Sequence, residues 1–138
     1  MLDKQKLILS KINLTIIAKP INKPLYDLES IKPGIIHLGL GNFHRAHQAL
    51  YLDDLFNMGL DHDWGIVGSG VMPHDAAMRK ALFEQDLLTT VVELEPGANR
   101  VRVIGSMVDF LPVESGNPSL IRALCDPKIR IVSMTITE

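Results

Sequence analysis

The clearest chemistry in this sequence lies in six consecutive residues, Gly39-Leu40-Gly41-Asn42-Phe43-His44, which follow the short apolar run Ile35-Ile36-His37-Leu38 and precede a stretch without Pro or Gly. A strand, a glycine turn and a helix start in that order are the parts of the dinucleotide fingerprint GxGxxG. Its first glycine allows the tight turn, its second lets backbone amides approach a pyrophosphate, and its third lets the helix pack close to the strand. Gly39 and Gly41 fill the first two positions and His44 fills the third. Two glycines alone are weak evidence, because strand-to-helix turns use glycine for steric reasons too. Context adds to them: Arg45 stands in the first helical turn, where the helix dipole disfavours a cation unless an anion such as phosphate is also present. An Arg45 that points to solvent needs no such anion.

Other residues invite weaker readings. The acid that binds a cofactor ribose usually closes the second strand about 20 residues past the glycines. The nearest candidate is Asp75, several residues beyond Gly70, and its position alone suits a helix N-cap better than a ribose ligand. His37, His44 and His47 with Asp53 and Asp54 suggest a metal, and His44 and His47, three apart, share a helix face. That set lacks a third ligand at a known spacing, His37 belongs to a strand, and histidines beside a phosphate site need no zinc, so no metal is expected. Cys125, before Asp126-Pro127, has no signature of a nucleophile and reads as a small core residue. No Ser/His/Asp constellation stands out.

The elements that must position these residues follow from periodicity. Residues 1–33 read as a leader packing on a domain, with a short helix over Asp3–Lys11 and an extended stretch punctuated by Pro20, Pro24 and Pro33. Residues 34–138 read as the domain, its first strand over residues 35–38. One helix is expected from Asn42 to Met58, with Phe43, Ala46, Leu50 and Asn57 on one stripe, Ala49, Leu52 and Phe56 on the next, and Gly59 as its stop. Trp64–Ser69 reads as a second buried strand and Asp75–Phe83 as a helix. Leu88–Leu94 and Arg100–Met107 flank Pro96-Gly97-Ala98-Asn99 as a hairpin. Pro118–Cys125 reads as a short helix and Ile129–Thr137 as a last strand. Strands alternating with helices make the fold class α/β with a mainly parallel sheet.

Composition narrows the function. At 138 residues the chain suits one domain. Its 46% hydrophobic and 22% charged residues are those of a folding chain rather than a disordered one. Fourteen Lys+Arg against sixteen Asp+Glu, without runs, leave no footprint for nucleic acid or an anionic membrane. No apolar run approaches membrane-spanning length, and Lys11 and Asn13 interrupt the apolar start before it reaches signal-peptide length. With one cysteine, a reducing, cytoplasmic setting is the simpler assumption.

The string IIHLGLGNFHRAHQALYLDDL, residues 35–55, resembles the opening of the polyol-specific long-chain dehydrogenases, the mannitol dehydrogenase family, whose dinucleotide turn has the form GxGxFHRAHQA with His in the third-glycine position. Further matches follow in order: DWGIVGSGVMPHDAAMRKAL (63–82), Gln85-Asp86, RVIGSMVDFL (102–111) and IRIVSMTITE (129–138). Within the family, PHDAAMR is more similar to the dehydrogenases acting on mannitol and arabinitol than to the fructuronate and tagaturonate reductases, which remain the alternative.

The resemblance implies an incomplete Rossmann-type domain, doubly wound, whose second half and helical C-terminal domain are absent. It implies NAD as cofactor, with Gly39, Leu40, Gly41, Asn42, Phe43, His44 and Arg45 around the pyrophosphate. Asp75 falls where the family places the acid that favours NAD over NADP, reversing the capping reading; His74 departs from the acidic residue that some members carry there and leaves NADP open. Glu138 falls where the family has a glutamate beside the nicotinamide. The catalytic lysine, with its Asn and His neighbours, lies beyond position 138 in the family, so no catalytic residue is expected here. The expected role is the NAD(H)-holding part of an oxidoreductase that passes hydride between a mannitol-like polyol and a fructose-like keto sugar. Alternatives are a noncatalytic nucleotide-binding or interaction module and, less favoured, a methyltransferase with a similar turn.

Overall fold

The computed structural model describes residues 7–136. Four parallel strands, β1 (Pro33–Leu38), β2 (Gly65–Ser69), β5 (Met107–Phe110) and β6 (Ile131–Met134), form one sheet in the order β5-β2-β1-β6. β3 (Thr89–Glu95) and β4 (Ala98–Ile104) form a separate antiparallel hairpin. The helices are α1 (Asn42–Ala46), α2 (Gln48–Asn57), α3 (Asp75–Phe83) and α4 (Pro118–Leu124).

The central strands β1 and β2 are apolar without alternation because both of their faces are covered. Ile66, Met107 and Phe110 pack with Ala49 and Leu50 of α2, Leu82 of α3 and the hairpin's Val91 and Ile104. Their strand neighbours Val67 and Val108 turn the other way and, with Ile36, meet Leu120 and Ala123 of α4. The chain moves outward from β1 through β2 to β5, then returns to pair β6 with the opposite edge of β1. In open α/β sheets such a reversal marks the crevice where ligands bind, at the C-terminal ends of the strands on either side.

Several expectations need correction. The single helix over 42–58 is two, because His47 leaves helical geometry (φ −124°, ψ −87°) and its ring Nδ1 donates to Phe43 O at 2.8 Å. The break also removes Phe43 from the packed stripe; it is exposed. The strand expected over 100–107 is interrupted at Gly105-Ser106: β4 ends in the hairpin, while Met107 begins β5, which joins the main sheet. Trp64 lies outside β2, under the Arg130 guanidinium. The last strand is shorter than 129–137, and Thr137 lies outside the described residues. Of the helix expected over 3–11, residues 3–6 lie outside the described part; residues 7–10 have no regular structure and a 3-10 turn follows at Ile12–Thr15. Cys125 is exposed, not core, because α4 ends before it and its helix buries only Leu120. Among the described residues no helix is long and apolar enough to cross a membrane.

The segment before β1 is held to the rest by hydrogen bonds. Asn22 N donates to Val101 O (3.2 Å) and Val103 N donates to Asn22 O (2.8 Å), adding a bridge to β4. Asp53 of α2, 1% exposed, gathers four donors: the Tyr26 hydroxyl (2.6 Å) and Gly105 N (2.9 Å) on Oδ1, and Arg102 (3.0 Å) and Asn57 Nδ2 (3.0 Å) on Oδ2. Burial first, and the adjacent carboxylate second, push the Tyr26 pKa up, so the phenol remains a donor. Asp53→Ala would leave Arg102, whose side chain is 18% exposed, without its buried partner. A loss of about 3–5 kcal/mol is expected in urea unfolding; a loss under about 1 kcal/mol would show that the cluster is not an anchor.

Candidate dinucleotide-binding site

At the end of β1 the backbone turns at Gly39, whose φ of 77° is unfavourable for residues with a Cβ. The turn is gripped from both sides. Gly39 N donates to Ser69 O at the end of β2 (3.1 Å), and Thr135 N, just past β6, donates to Leu38 O (3.1 Å). A Cβ on Gly39 would stand 3.1 Å from Thr135 O, so both conformation and space require glycine there.

Gly41 is different. Its φ of −107° and ψ of −168° are open to any residue. An added Cβ would find only Gly39 O within 4 Å, at 3.9 Å. The protein's own packing does not call for glycine at this position. The missing side chain leaves open approach to the backbone at the start of α1, where the first amides have no intrahelical acceptor.

The other expected site residues divide by what their side chains do. Leu40 is a core residue, packed with Leu50, Ile66 and Phe110, so only its backbone faces the turn's exterior. Phe43 projects outward and stacks on His47 with centroids 4.4 Å apart. Arg45 braces the turn: its Nε donates to Gly41 O (3.3 Å) and its guanidinium to Asn42 Oδ1. The cation in the first helical turn is thus compensated by a carbonyl and an amide oxygen, and burial lowers its pKa. Glu138 lies outside the described residues.

Asp75 sits past the end of β2. It is the first residue of α3, not its N-cap, and its Oδ2 turns back to accept from Met72 N (2.9 Å). Gly70 makes this possible, since a Cβ there would lie 2.1 Å from the Asp75 Cβ. The second carboxylate oxygen is 3.6 Å from His74 Nε2. Next to Asp75, an open depression of about 530 Å³ is lined by Ala76, Arg79 and Phe83 of α3 and by Pro112 and Val113 beyond β5. Arg79 lies over the Phe83 ring and donates from Nε to Phe110 O (2.9 Å).

Behind the turn lies a buried polar layer. His37 and His44 stack with centroids 3.6 Å apart, 3% and 2% exposed. His37 Nδ1 meets Ser133 Oγ (2.8 Å) and its Nε2 meets Thr135 Oγ1 (3.1 Å), while His44 Nε2 meets Gln48 Oε1 (2.9 Å). Burial lowers the pKa of His37; burial and then the neighbouring His37 lower that of His44 to about 4. Both rings are neutral at pH 7. Sequence reasoning missed Gln48, Ser133 and Thr135, although Ser133 and Thr135, two apart in an apolar strand, share one face. The histidines and aspartates that suggested a metal are drawn to different partners, these hydroxyls and Gln48 on one side and Arg102 on the other. Among the described residues no group of three His, Cys, Asp or Glu could hold a metal ion.

The model of the mannitol dehydrogenase Rossmann domain matches residues 33–138. The chain belongs to the mannitol dehydrogenase family. It is 58% identical over 120 residues to the mannitol 2-dehydrogenase of Cereibacter sphaeroides, an overlap covering 87% of this chain and 25% of that protein. It is 44% identical over 123 residues to the polyol:NADP oxidoreductase of Gluconobacter oxydans, covering 86% and 24%. Among solved structures, Pseudomonas fluorescens mannitol 2-dehydrogenase in a ternary complex with NAD and D-mannitol matches with a TM-score of 0.88 and 46% identity, over 93% of this chain and 26% of that one. A D-sorbitol dehydrogenase in substrate-free form matches with a TM-score of 0.84 and 38% identity, over 96% and 27%. The chain spans about a quarter of the length of the curated relatives it matches. The parallel β5-β2-β1-β6 sheet is therefore the family's Rossmann-type architecture, as the resemblance at residues 35–55 implied.

The stacked histidines set a pH dependence within this family member. His44 protonates near pH 4 when folded and near 6.5 when unfolded. Between those values the unfolded chain binds a proton that the folded chain refuses, so stability falls as pH drops from 6.5 toward 4. His37 acts in the same direction. The urea midpoint should be lower at pH 5 than at pH 7, and His44→Phe should flatten that difference; an equal difference in the variant would show that His44 is not its source.

Proposed function

We propose that this chain holds NAD(H) for an oxidoreductase that passes hydride between a mannitol-like polyol and a fructose-like keto sugar. The observation that carries the reading is Gly41. A glycine that neither backbone conformation nor neighbouring atoms require stands at the start of a helix, in the crevice where the strand order reverses. A pyrophosphate approaching the backbone accounts for it. When bound, the nicotinamide supplies the hydride acceptor or donor.

On this reading the backbone of Gly39, Leu40, Gly41, Asn42 and Phe43 lines the pyrophosphate, and Arg45 stiffens the turn from its own side. His44 supports the turn from beneath. Asp75 receives the adenosine ribose: its carboxylate accepts from a 2′-hydroxyl and repels a 2′-phosphate, favouring NAD. The depression beside α3 then lies where the adenine end would rest. Glu138 is assigned to the nicotinamide side. The polyol pocket and the lysine base are assigned to residues beyond position 138, as the family resemblance implies. The relatives named for mannitol and polyols support the polyol substrate, and the neighbour solved with NAD and D-mannitol supports both substrate and cofactor. The domain division, residues 1–33 as a packed leader and 34–138 as the cofactor domain, belongs to the same reading. So do the cytoplasmic setting and the absence of a nucleic acid partner.

Calorimetric titration with NADH tests the reading, with circular dichroism to confirm the fold. Gly41→Leu should weaken binding about a hundredfold, roughly 2.7 kcal/mol, without loss of helical signal; an unchanged affinity would remove the pyrophosphate from this turn. Asp75→Ala should raise the affinity for NADPH relative to NADH about tenfold or more. An unaltered ratio would restrict Asp75 to its bond with Met72 N.

A further inference from the structure

The polar layer behind the glycine turn touches no part of the proposed ligand, yet five side chains meet there: His37 of β1, His44 of α1, Gln48 of α2, Ser133 of β6 and Thr135 just past it. We propose that these residues are a positioning network that locks the glycine turn to the C-terminal end of β6, fixing the two sides of the crevice relative to each other. The proposal rests on the reading of that crevice as the cofactor site.

The proton count gives the network a single direction. The Ser133 hydroxyl has one proton and donates it to Gln48 Oε1 (3.3 Å). The 2.8 Å contact between Ser133 Oγ and His37 Nδ1 is then donated by the ring N–H. His37 Nε2 consequently accepts from the Thr135 hydroxyl (3.1 Å). Gln48 Oε1 accepts a second hydrogen bond, from His44 Nε2–H (2.9 Å). Every link is made by neutral groups, in agreement with rings that burial holds unprotonated. His44 Nδ1, without a hydrogen, is left buried without a partner.

The geometry of β6 explains why such a tie is needed. Among the described residues β6 pairs only with β1, and Ile131, Val132 and Met134 are 43%, 48% and 57% exposed. Packing alone fixes this strand weakly. The network reaches its last residues from the helices that begin at the turn. His44 occupies the position where the general fingerprint has a glycine. A glycine would let the helix approach the strand; the imidazole instead fills the gap with a ring stacked at 3.6 Å and adds the bond to Gln48.

Ser133→Ala removes the junction and leaves the His37 Nδ1–H without its acceptor while keeping both rings in place, Thr135→Val cuts the far end, and His44→Phe keeps the stack while deleting its bond. On the whole chain, amide hydrogen exchange at residues 42–48 and NADH affinity by calorimetry are compared at matched folded fraction. Ser133→Ala should speed exchange and weaken NADH binding about tenfold each. Ser133→Thr should restore both, and adding His44→Phe to Ser133→Ala should cost less than the two single effects combined. If Ser133→Ala is poorly folded, Thr135→Val reads the same coupling. Unchanged exchange at 42–48 in folded Ser133→Ala and Thr135→Val overturns the network, whether or not NADH binds. Faster exchange in the variants, with an unsubstituted chain that fails to bind NADH, supports the tie to β6 and overturns the cofactor reading alone.

Discussion

The site depends on one strand being paired on both edges. β1 is bonded in parallel to β2 on one side and to β6 on the other, and its faces meet different helices, Ile36 against α4 and His37 against His44 of α1. Because its neighbours come from distant parts of the chain, three strand ends arrive at one place: Leu38, Ser69 and Met134. A turn leaving β1 is then held by bonds from both neighbours, Gly39 N to Ser69 O and Thr135 N to Leu38 O. Such a turn has little freedom to reorganise when a ligand arrives, and preorganisation of this kind is how a loop binds without a large ordering cost.

Asp53 performs a comparable task at a distance from the site. Four donors from three parts of the chain converge on one buried carboxylate, joining the segment before β1, helix α2 and the hairpin with its exit turn. Replacing the cluster with apolar residues need not weaken the fold, since buried ion pairs recover their desolvation penalty only in part. What apolar groups would lack is direction: each oxygen of Asp53 specifies which donors meet it, and α2 can take only one rotation against β4. That rotation also places Gln48, at the start of the same helix, toward β6.

How much of this was legible in the sequence depended on whether a signal was local. The strand ends at residues 38 and 69, the helix over 75–83 and the turn at 39–44 all carry their causes within a few residues: an apolar run, a glycine, a proline before a helix. The break at His47 was not legible, because it arises from a ring nitrogen competing for a carbonyl four residues back, in a stretch with no Pro or Gly to mark it. The switch from β4 to β5 was hidden because β-branched and apolar residues continue on both sides of Gly105-Ser106; only the separate sheets show that the chain has changed partners. At the site, glycines could be identified by type but not by purpose. The layer of His37, Ser133 and Thr135 spans almost a hundred residues of sequence, so no local pattern could have assembled it.

Three glycines near the strand ends are glycine for different reasons. Gly39 is required by its positive φ and by Thr135, and Gly70 by the carboxylate of Asp75 that folds over it. Both would be glycine in a protein that bound nothing. Gly41 has ordinary backbone angles and empty space where a side chain would begin, so folding alone would tolerate many residues there. A motif of two glycines is weak evidence as a string because it does not distinguish these cases. In three dimensions it separates into one glycine that makes the turn and one that leaves its outer face bare, and only the second speaks of a ligand.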